Sequence, residues 1–544
     1  MFTALFRLLL FSLVPKGGLG SVAYCENEEY ESGAFGMSSY QTYNAAPFRP
    51  LQLNYAIPPA ECPSNNDIGG YFFFYPENPI TTEPFGMIIN PNGTLVGAIP
   101  GFLRGIQKYK GKDHISVWVG NGSLLSVGHG SGHNLLLDDT YSIVANFTTV
   151  GLGVGADMHE NFTLFTFKLE VTPNNTAVMT AYPVRTANLS RFGGPKSGFV
   201  YDSVVQEIDI ATGYYHLKKL SPHLLNDLSE ALFTWEALDH VDPSECYAAI
   251  GEAGNGTEEY PWDYFHINSV QKQDDGYLIS SRYCHALYLV GLGGKIIWRM
   301  GGKNSDFTFS EGANFSWQHH ARIHSSSVLS VFNNGASQIN QDLPFSQGLL
   351  LNYDTRRKHV ALVNARSPFN RTVTLSQGSF QILKDGESIV GWGAMPYFSL
   401  HDVNGDIKWS AQFAPSENAV ASYRVFLHNW VGRPATPPSM QISTTSIPGN
   451  VTVYAWWNGA TEVTAWELFG SKVLTPQSPM SLGIVGKVDF ETTLRYTGEE
   501  SYVFFQVVAL NGNREYLGYS SFNLLSGNSS IAKANNQTVT APPL

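Results

Sequence analysis

Val270-Gln271-Lys272-Gln273-Asp274-Asp275-Gly276-Tyr277-Leu278-Ile279-Ser280 places two β-forming runs on either side of an Asp-Asp-Gly turn. Asp-Gly between such runs marks a tight hairpin, because these residues adopt the positive φ that the turn demands. The same grammar recurs outward from this stretch. Gly86-Met87-Ile88-Ile89 precedes Asn90-Pro91-Asn92-Gly93, and Gln381-Ile382-Leu383 precedes Asp385-Gly386 and Ser388-Ile389-Val390. No stretch longer than about a dozen residues holds a helical period. The chain therefore reads as all-β.

Composition agrees. Aromatic residues make up 13% and charged residues only 14%, with 52 Gly and 29 Pro, a balance that suits short strands and turns better than salt-bridged helices. At 544 residues the chain exceeds one ordinary core, so it holds either several domains or one large repetitive one. The net charge of −12, with no basic run, argues against nucleic-acid binding.

The N-terminus reads as a signal peptide over residues 1–23. Arg7 precedes the apolar run Leu8 to Val14, and Ser21-Val22-Ala23 supplies small residues for cleavage. The run is far shorter than the ~20 residues a spanning helix needs, and no later stretch qualifies. Asn-x-Ser/Thr sites fit a secreted, extracellular glycoprotein: Asn92, Asn121, Asn146, Asn161, Asn174, Asn188, Asn255, Asn314, Asn370, Asn450, Asn528 and Asn536. Cys25, Cys62, Cys246 and Cys284 allow three pairings, of which Cys25–Cys62 with Cys246–Cys284 is expected.

A weak repeat lies over the hairpins. His159, His266, His319 and Gln381 open successive units, spaced 107, 53 and 62 residues apart. That spacing suggests the ~40–55-residue period of propeller blades, with an insertion in the longest. Polar groups at matching places in successive blades would converge on the mouth of a central channel. Two segments, 161–168 and 214–229, interrupt the pattern and read as surface loops, or as intronic sequence carried into the protein. The expected organisation is an N-terminal segment at 24–65, a propeller at 66–434 and a disordered tail at 525–544. Between the last two, at 435–524, a fibronectin-type-III/Ig-like β-sandwich is expected from the alternating Val451–Ala460, Thr464–Leu468 and Tyr502–Leu510 runs.

The densest chemistry runs from Trp262 to Gly335. It contains Asp263-Tyr264-Phe265-His266-Ile267-Asn268-Ser269, Ser280-Ser281-Arg282, Trp298-Arg299-Met300-Gly301-Gly302 and Gln318-His319-His320-Ala321. In this order these motifs resemble the arylsulfotransferase (ASST)-like family, in its eukaryotic secreted branch. Asp157-Met158-His159-Glu160, Gly378-Ser379-Phe380-Gln381 and Ser422-Tyr423-Arg424 extend the likeness, which covers about residues 120–435. The resemblance implies a propeller, six-bladed in bacterial relatives. It also implies transfer of a sulfuryl group from an aryl sulfate to a phenolic acceptor through a sulfated histidine, without phosphoadenosine phosphosulfate. Two departures stand out: Gln381 opens a unit without a histidine, and His320 stands where an acid is usual.

His266 and His319 are the candidates for nucleophile and proton donor, in either order, and Arg282 for the cation that meets the sulfuryl oxygens. Asn268 and Asn334 are candidate orienting donors, with His159 and Gln381 on the channel wall. No cofactor and no metal are expected; the spacing of His319, His320 and His324 offers no zinc frame. His320 and His324 are expected to face outward or into their sheet, Trp298, Trp317 and Trp392 to pack in the core, and Arg424 and Trp430 to join propeller and sandwich. A ligand-binding propeller without catalysis is the alternative, and a quinone- or metal-dependent oxidoreductase a third reading.

Overall fold

The computed structural model describes residues 22–62, 69–77, 85–122, 128–159, 161–163, 175–211, 231–415, 420–444, 450–474 and 478–525. Most of the expected signal peptide, segment 214–229, most of segment 161–168 and nearly all of the tail lie outside these residues. The chain is all-β, as its turn grammar indicates.

Six largely antiparallel sheets follow one another. The first is built from Tyr71–Glu77, Phe85–Ile89 and Leu95–Pro100, completed on its inner edge by the late strand Ala421–His428. The second runs Phe102–Tyr109, Lys112–Gly122, Gly130–Leu137 and Ile143–Phe147. The third holds Asn161–Thr163, Thr176–Ala181, Val204–Asp209 and Phe233–Glu236. The fourth is the meander Ile267–Gln273, Gly276–Ser281, Ala286–Gly291 and Ile296–Gly301. The fifth orders His319–Ser325, Val328–Asn333, Gln347–Asp354 and His359–Arg366, with Thr308–Phe309 on its outer edge. The sixth runs Ser379–Ile382, Ser388–Gly391, Tyr397–His401 and Ile407–Gln412, and then takes in Asn54–Ile57 and Tyr24–Cys25 from the N-terminal segment.

The expected hairpin at the opening stretch forms, with Val270 opposite Ile279 and Gln273 opposite Gly276. Only glycine fits at position 276, where a Cβ would stand 2.0 Å from the Val290 carbonyl oxygen. Every residue of Gly276–Ser281 is buried. The reason is that alternate side chains enter different cores. Tyr277 and Ile279 pack with Val205 and Trp235 of the third sheet, while Leu278 packs with Leu329 and Leu349 of the fifth. The first sheet repeats this: Phe72 and Phe74 meet Phe398 and Trp409 of the sixth, and Phe73 meets Ile115 and Val117 of the second. Sheets covered on both faces need near-continuous apolar runs, which the sequence supplies. Contacts pass from each sheet to the next and from the sixth back to the first.

After residue 434 two further sheets share a core of Val453, Trp466, Leu468, Phe505 and Val507. They join the first two sheets through a few polar contacts. The Asn458 side chain pairs with both backbone groups of Ala98, at 2.8 and 2.9 Å. Trp430 donates to the Tyr141 hydroxyl at 3.0 Å, and that hydroxyl donates to the Gly459 carbonyl at 2.7 Å. Trp430 thus joins the two parts as expected. Arg424 does not: its side chain donates to the Asn268 carbonyl of the fourth sheet at 3.2 Å. Both expected disulfides, Cys25–Cys62 and Cys246–Cys284, are present. Asn146 is only 7% exposed inside its strand.

Candidate active site

Strand openings and strand-to-strand turns of several sheets bring four histidines, one arginine and three tyrosines together. His266 sits immediately before Ile267–Gln273 with φ of +54°, a left-handed backbone that non-glycine residues rarely adopt. The turn is fixed by the Arg282 N–H donating to the His266 carbonyl at 2.9 Å. It aims the His266 Nδ1 at the Asp263 carboxylate, with which it pairs, and leaves Nε2 without a protein partner among the described residues. His159 is held similarly. Asp157 accepts its ring Nδ1 at 2.6 Å and its backbone N–H at 2.8 Å, and also accepts the Gly130 N–H at 2.8 Å. The His159 and His266 rings lie 5.0 Å apart. His129 stacks on Tyr182 at 4.6 Å and is 6.4 Å from His266. Tyr283 lies 5.1 Å from His266, and Tyr423 spans between His159 at 5.3 Å and His319 at 6.2 Å.

His319 is held differently. Its Nδ1 meets the Asn334 Oδ1 at 2.7 Å, and its Nε2 meets the Gln377 backbone N–H at 3.2 Å. The Asn334 amide donates to the carbonyls of Thr374 and Gln377, so its oxygen faces the imidazole. Nδ1 therefore carries the proton and Nε2 the lone pair. Burial, then the nearby Arg282 charge, hold His319 well below the usual histidine range. Burial also lowers His266, against the opposing pull of Asp263. Burial pushes the Asp157 carboxyl up, but His159, His129 and the Gly130 N–H outweigh it and hold Asp157 ionised.

Arg282 is 5% exposed and donates to the Tyr283 hydroxyl, the Gln338 side chain and the Leu375 carbonyl, at 3.2, 3.1 and 2.7 Å. Its Nε has no partner, and among the described residues no carboxylate pairs with it. A buried cation without a counter-ion is costly and favours an anionic ligand beside it.

Six of the seven expected residues meet here: His266, His319, Arg282, His159, Asn268 and Asn334. Asn334 orients His319. Asn268 donates to the Gln318 carbonyl at 2.6 Å, and its Oδ1 is buried without a partner. Gln381 is not brought into the histidine cluster, and its side chain joins two neighbouring sheets. Its amide brackets the backbone of Leu427, donating to the carbonyl at 2.9 Å and accepting the N–H at 2.8 Å, which ties the sixth sheet to the first. His320 is buried against Phe426 at 5.5 Å, and the partly buried His324 meets the Ser330 hydroxyl at 2.8 Å. Trp298 and Trp392 pack in cores as expected.

Sequence reasoning gave no role to His129, Tyr182, Tyr283 and Tyr423. Tyr283 and Tyr423 stand inside the quoted motifs, beside Arg282 and Arg424, whereas His129 lies in a glycine-rich stretch with no motif of its own.

Two His–carboxylate couples, a neutral imidazole and an unpaired guanidinium can bind a tetrahedral anion, attack it and move a proton to its leaving group. Among solved structures the chain is similar to a protein of unknown function from Bacteroides caccae, at 9% identity, with 66% of this chain and 98% of that one covered and a TM-score of 0.35. It is also similar to a GH43_12 retrieved from a capybara gut metagenome, at 9% identity, with 87% and 94% covered and a TM-score of 0.24. No curated protein matches the chain. The family profile "Arylsulfotransferase (ASST)" matches residues 105–414, more than half of the chain and all four of the central histidines, and the chain belongs to that family.

Proposed function

We propose that the protein is a secreted sulfuryl transferase that moves the group from an aryl sulfate to a phenol through His319, on a ring of six sheets that constitutes a six-bladed propeller. The 439–525 region serves as its β-sandwich. Support for the ring lies in the unbroken cycle of sheet-to-sheet cores and in the closing strand Ala421–His428. The signal-peptide pattern and the two disulfides support secretion.

The observation that carries the chemistry is the contrast in histidine partners around Arg282. A nucleophile must be neutral, and His319 has only amide partners and a fixed lone pair on Nε2. A proton donor must tolerate charge, and His266 has a carboxylate behind it. In the first half-reaction the His319 Nε2 forms a bond to sulfur as the sulfur–aryl oxygen bond breaks. The departing phenolate takes its proton from protonated His266. In the second, the acceptor hydroxyl attacks sulfur, the N–S bond breaks and His266 takes the hydroxyl proton. Arg282 holds the non-bridging oxygens throughout, as cations do for a phosphoryl group in flight. Attack draws the Nε2 lone pair away from the Gln377 N–H, which becomes free to donate to one of those oxygens.

The test is p-nitrophenyl sulfate turnover by secreted protein, with and without added phenol. Phenol-dependent nitrophenolate release is expected, with a sulfuryl mass increment on the His319 peptide when the acceptor is withheld. Release without phenol would make the protein a hydrolase. Silence from folded protein across several sulfate donors would leave a ligand-binding propeller.

A further inference from the structure

Beside the histidine cluster lies a second cavity, of about 610 Å³, lined in part by Tyr247, Glu252, His285, Trp317 and Asp342. Its size lies within the ~300–1,000 Å³ usual for small-molecule sites. His285 forms one wall. It is 7% exposed, has φ of +52°, stacks on Tyr247 at 4.1 Å and meets Trp317 edge-on at 4.3 Å. Neither of its ring nitrogens has a hydrogen-bond partner among the described residues, and its Nε2 is fully buried. An imidazole held in an unfavourable backbone conformation, nine-tenths buried and unsatisfied, is costly to keep unless something completes it.

We propose that this cavity binds a neutral phenol, whose ring lies on the aromatic wall and whose hydroxyl hydrogen-bonds His285. Three observations define the ligand class. Phe307, Phe309 and Phe315 add to Tyr247 and Trp317, giving an aromatic lining. The charged lining residues are Glu252 and Asp342, with no lysine or arginine, so an anionic aryl sulfate is repelled. The nearby Lys303 ammonium is taken up by the Cys246 and Ser244 carbonyls. The two sites thus differ in the charges that line them, Arg282 at the histidine cluster and Glu252 with Asp342 at the cavity.

The cavity is separate from the histidine cluster: Trp317 is 6.0 Å from Tyr283, which is 5.1 Å from His266, so both rings stand between a bound phenol and the proposed proton donor. Under the proposed function a phenol held here must leave the cavity to accept the sulfuryl group, and that part of the inference rests on that reading. The binding itself does not.

The test is calorimetric titration of the full secreted chain with 2-naphthol and, separately, with 2-naphthyl sulfate. It is run on the His319→Ala variant so that no turnover intrudes. Saturable 2-naphthol binding is expected, weakened at least tenfold by His285→Leu and by Asn340→Trp, the latter filling the mouth from an exposed position. 2-Naphthyl sulfate is expected not to displace the naphthol. No saturable naphthol binding, binding unchanged in both variants, or equal competition by the sulfate would each overturn the proposal. Because turnover plays no part in the readout, failure here is distinct from failure of the transferase reading.

Discussion

The fourth and sixth sheets carry the same inner-strand device but differ at their openings. In the fourth, the Ser269 hydroxyl accepts the Ala321 N–H, and the Gln271 amide brackets the backbone of Ile323. In the sixth, Ser379 bonds the backbone of Val425 and Gln381 brackets Leu427. Ser-x-Gln is therefore a stitch between neighbouring sheets, and Gln381 is the counterpart of Gln271, not of His266. Five residues before Gln271 stands His266, and five before Gln381 stands Ser376. The repeat is real, but its register is set by the stitch. A histidine at the opening marks chemistry; a glutamine further along the strand marks assembly.

The sharpest way to break this distinction is to compare activity losses. His319→Ala and His266→Ala are each expected to lower kcat by about 10³-fold or more, as loss of a nucleophile or acid–base group does, with the circular dichroism spectrum retained. Gln381→Ala is expected to leave kcat within about twofold of wild type. Loss of turnover in Gln381→Ala protein that is still folded would return that residue to the site. Next in size is Arg282→Gln, expected to cost about 10²-fold in kcat/KM for the sulfate donor. Arg282→Lys should recover part of it, since the charge persists without the planar fork. Equal loss in both would mean that Arg282 only braces Gln338 and Leu375.

Much of this was legible in the sequence. Asp-Gly and Asn-Gly turns between β-formers pointed to the all-β class, and the Asp-x-x-His and Gln-His spacings pointed to His266 and His319, while Asp263 was quoted in its motif without a role. The register of the repeat was not legible, because His266 and Gln381 are both polar residues near the start of a strand. Only the hydrogen bonds to the next sheet tell them apart. Nor was His129 legible. It comes from the second sheet, where no motif surrounds it, and meets His266 of the fourth only in the folded chain. Arg424 misled for a related reason: its neighbours in sequence approach the C-terminal sheets, while its side chain turns inward to Asn268.

Acid should destabilise the fold through histidines that their surroundings keep neutral. Burial lowers His285, His324, His401 and His428 to about 4. Arg282, Lys303 and Asp342 face the first, Arg322 the second, Arg366 and Asp402 the third, and Asp113 the fourth. In the unfolded chain these groups titrate near 6.5, so between pH 6.5 and 4 the unfolded state binds more protons. Stability is therefore full above pH 6.5 and falls as pH drops, by up to about 1.4 kcal/mol per pH unit for each histidine. Thermal melts should show Tm declining across that window, and His401→Asn should flatten the decline. A Tm independent of pH from 6.5 to 4 would contradict the neutral state of all four.

The smallest expected effect addresses the comparison most directly. Gln271→Ala and Gln381→Ala each remove two hydrogen bonds and leave a backbone N–H and carbonyl unpaired between sheets. Each should cost about 1–3 kcal/mol in denaturant unfolding, the penalty for stranding buried polar groups. If the two glutamines are equivalent stitches, their costs should agree within about 0.5 kcal/mol and add in the double variant, since they join different pairs of sheets. A large cost for Gln271 with none for Gln381 would show that the sixth-to-first joint relies on the closing strand alone. A change in KM for the aryl sulfate with Gln381→Ala, and not with Gln271→Ala, would show that the sixth sheet's opening does touch substrate.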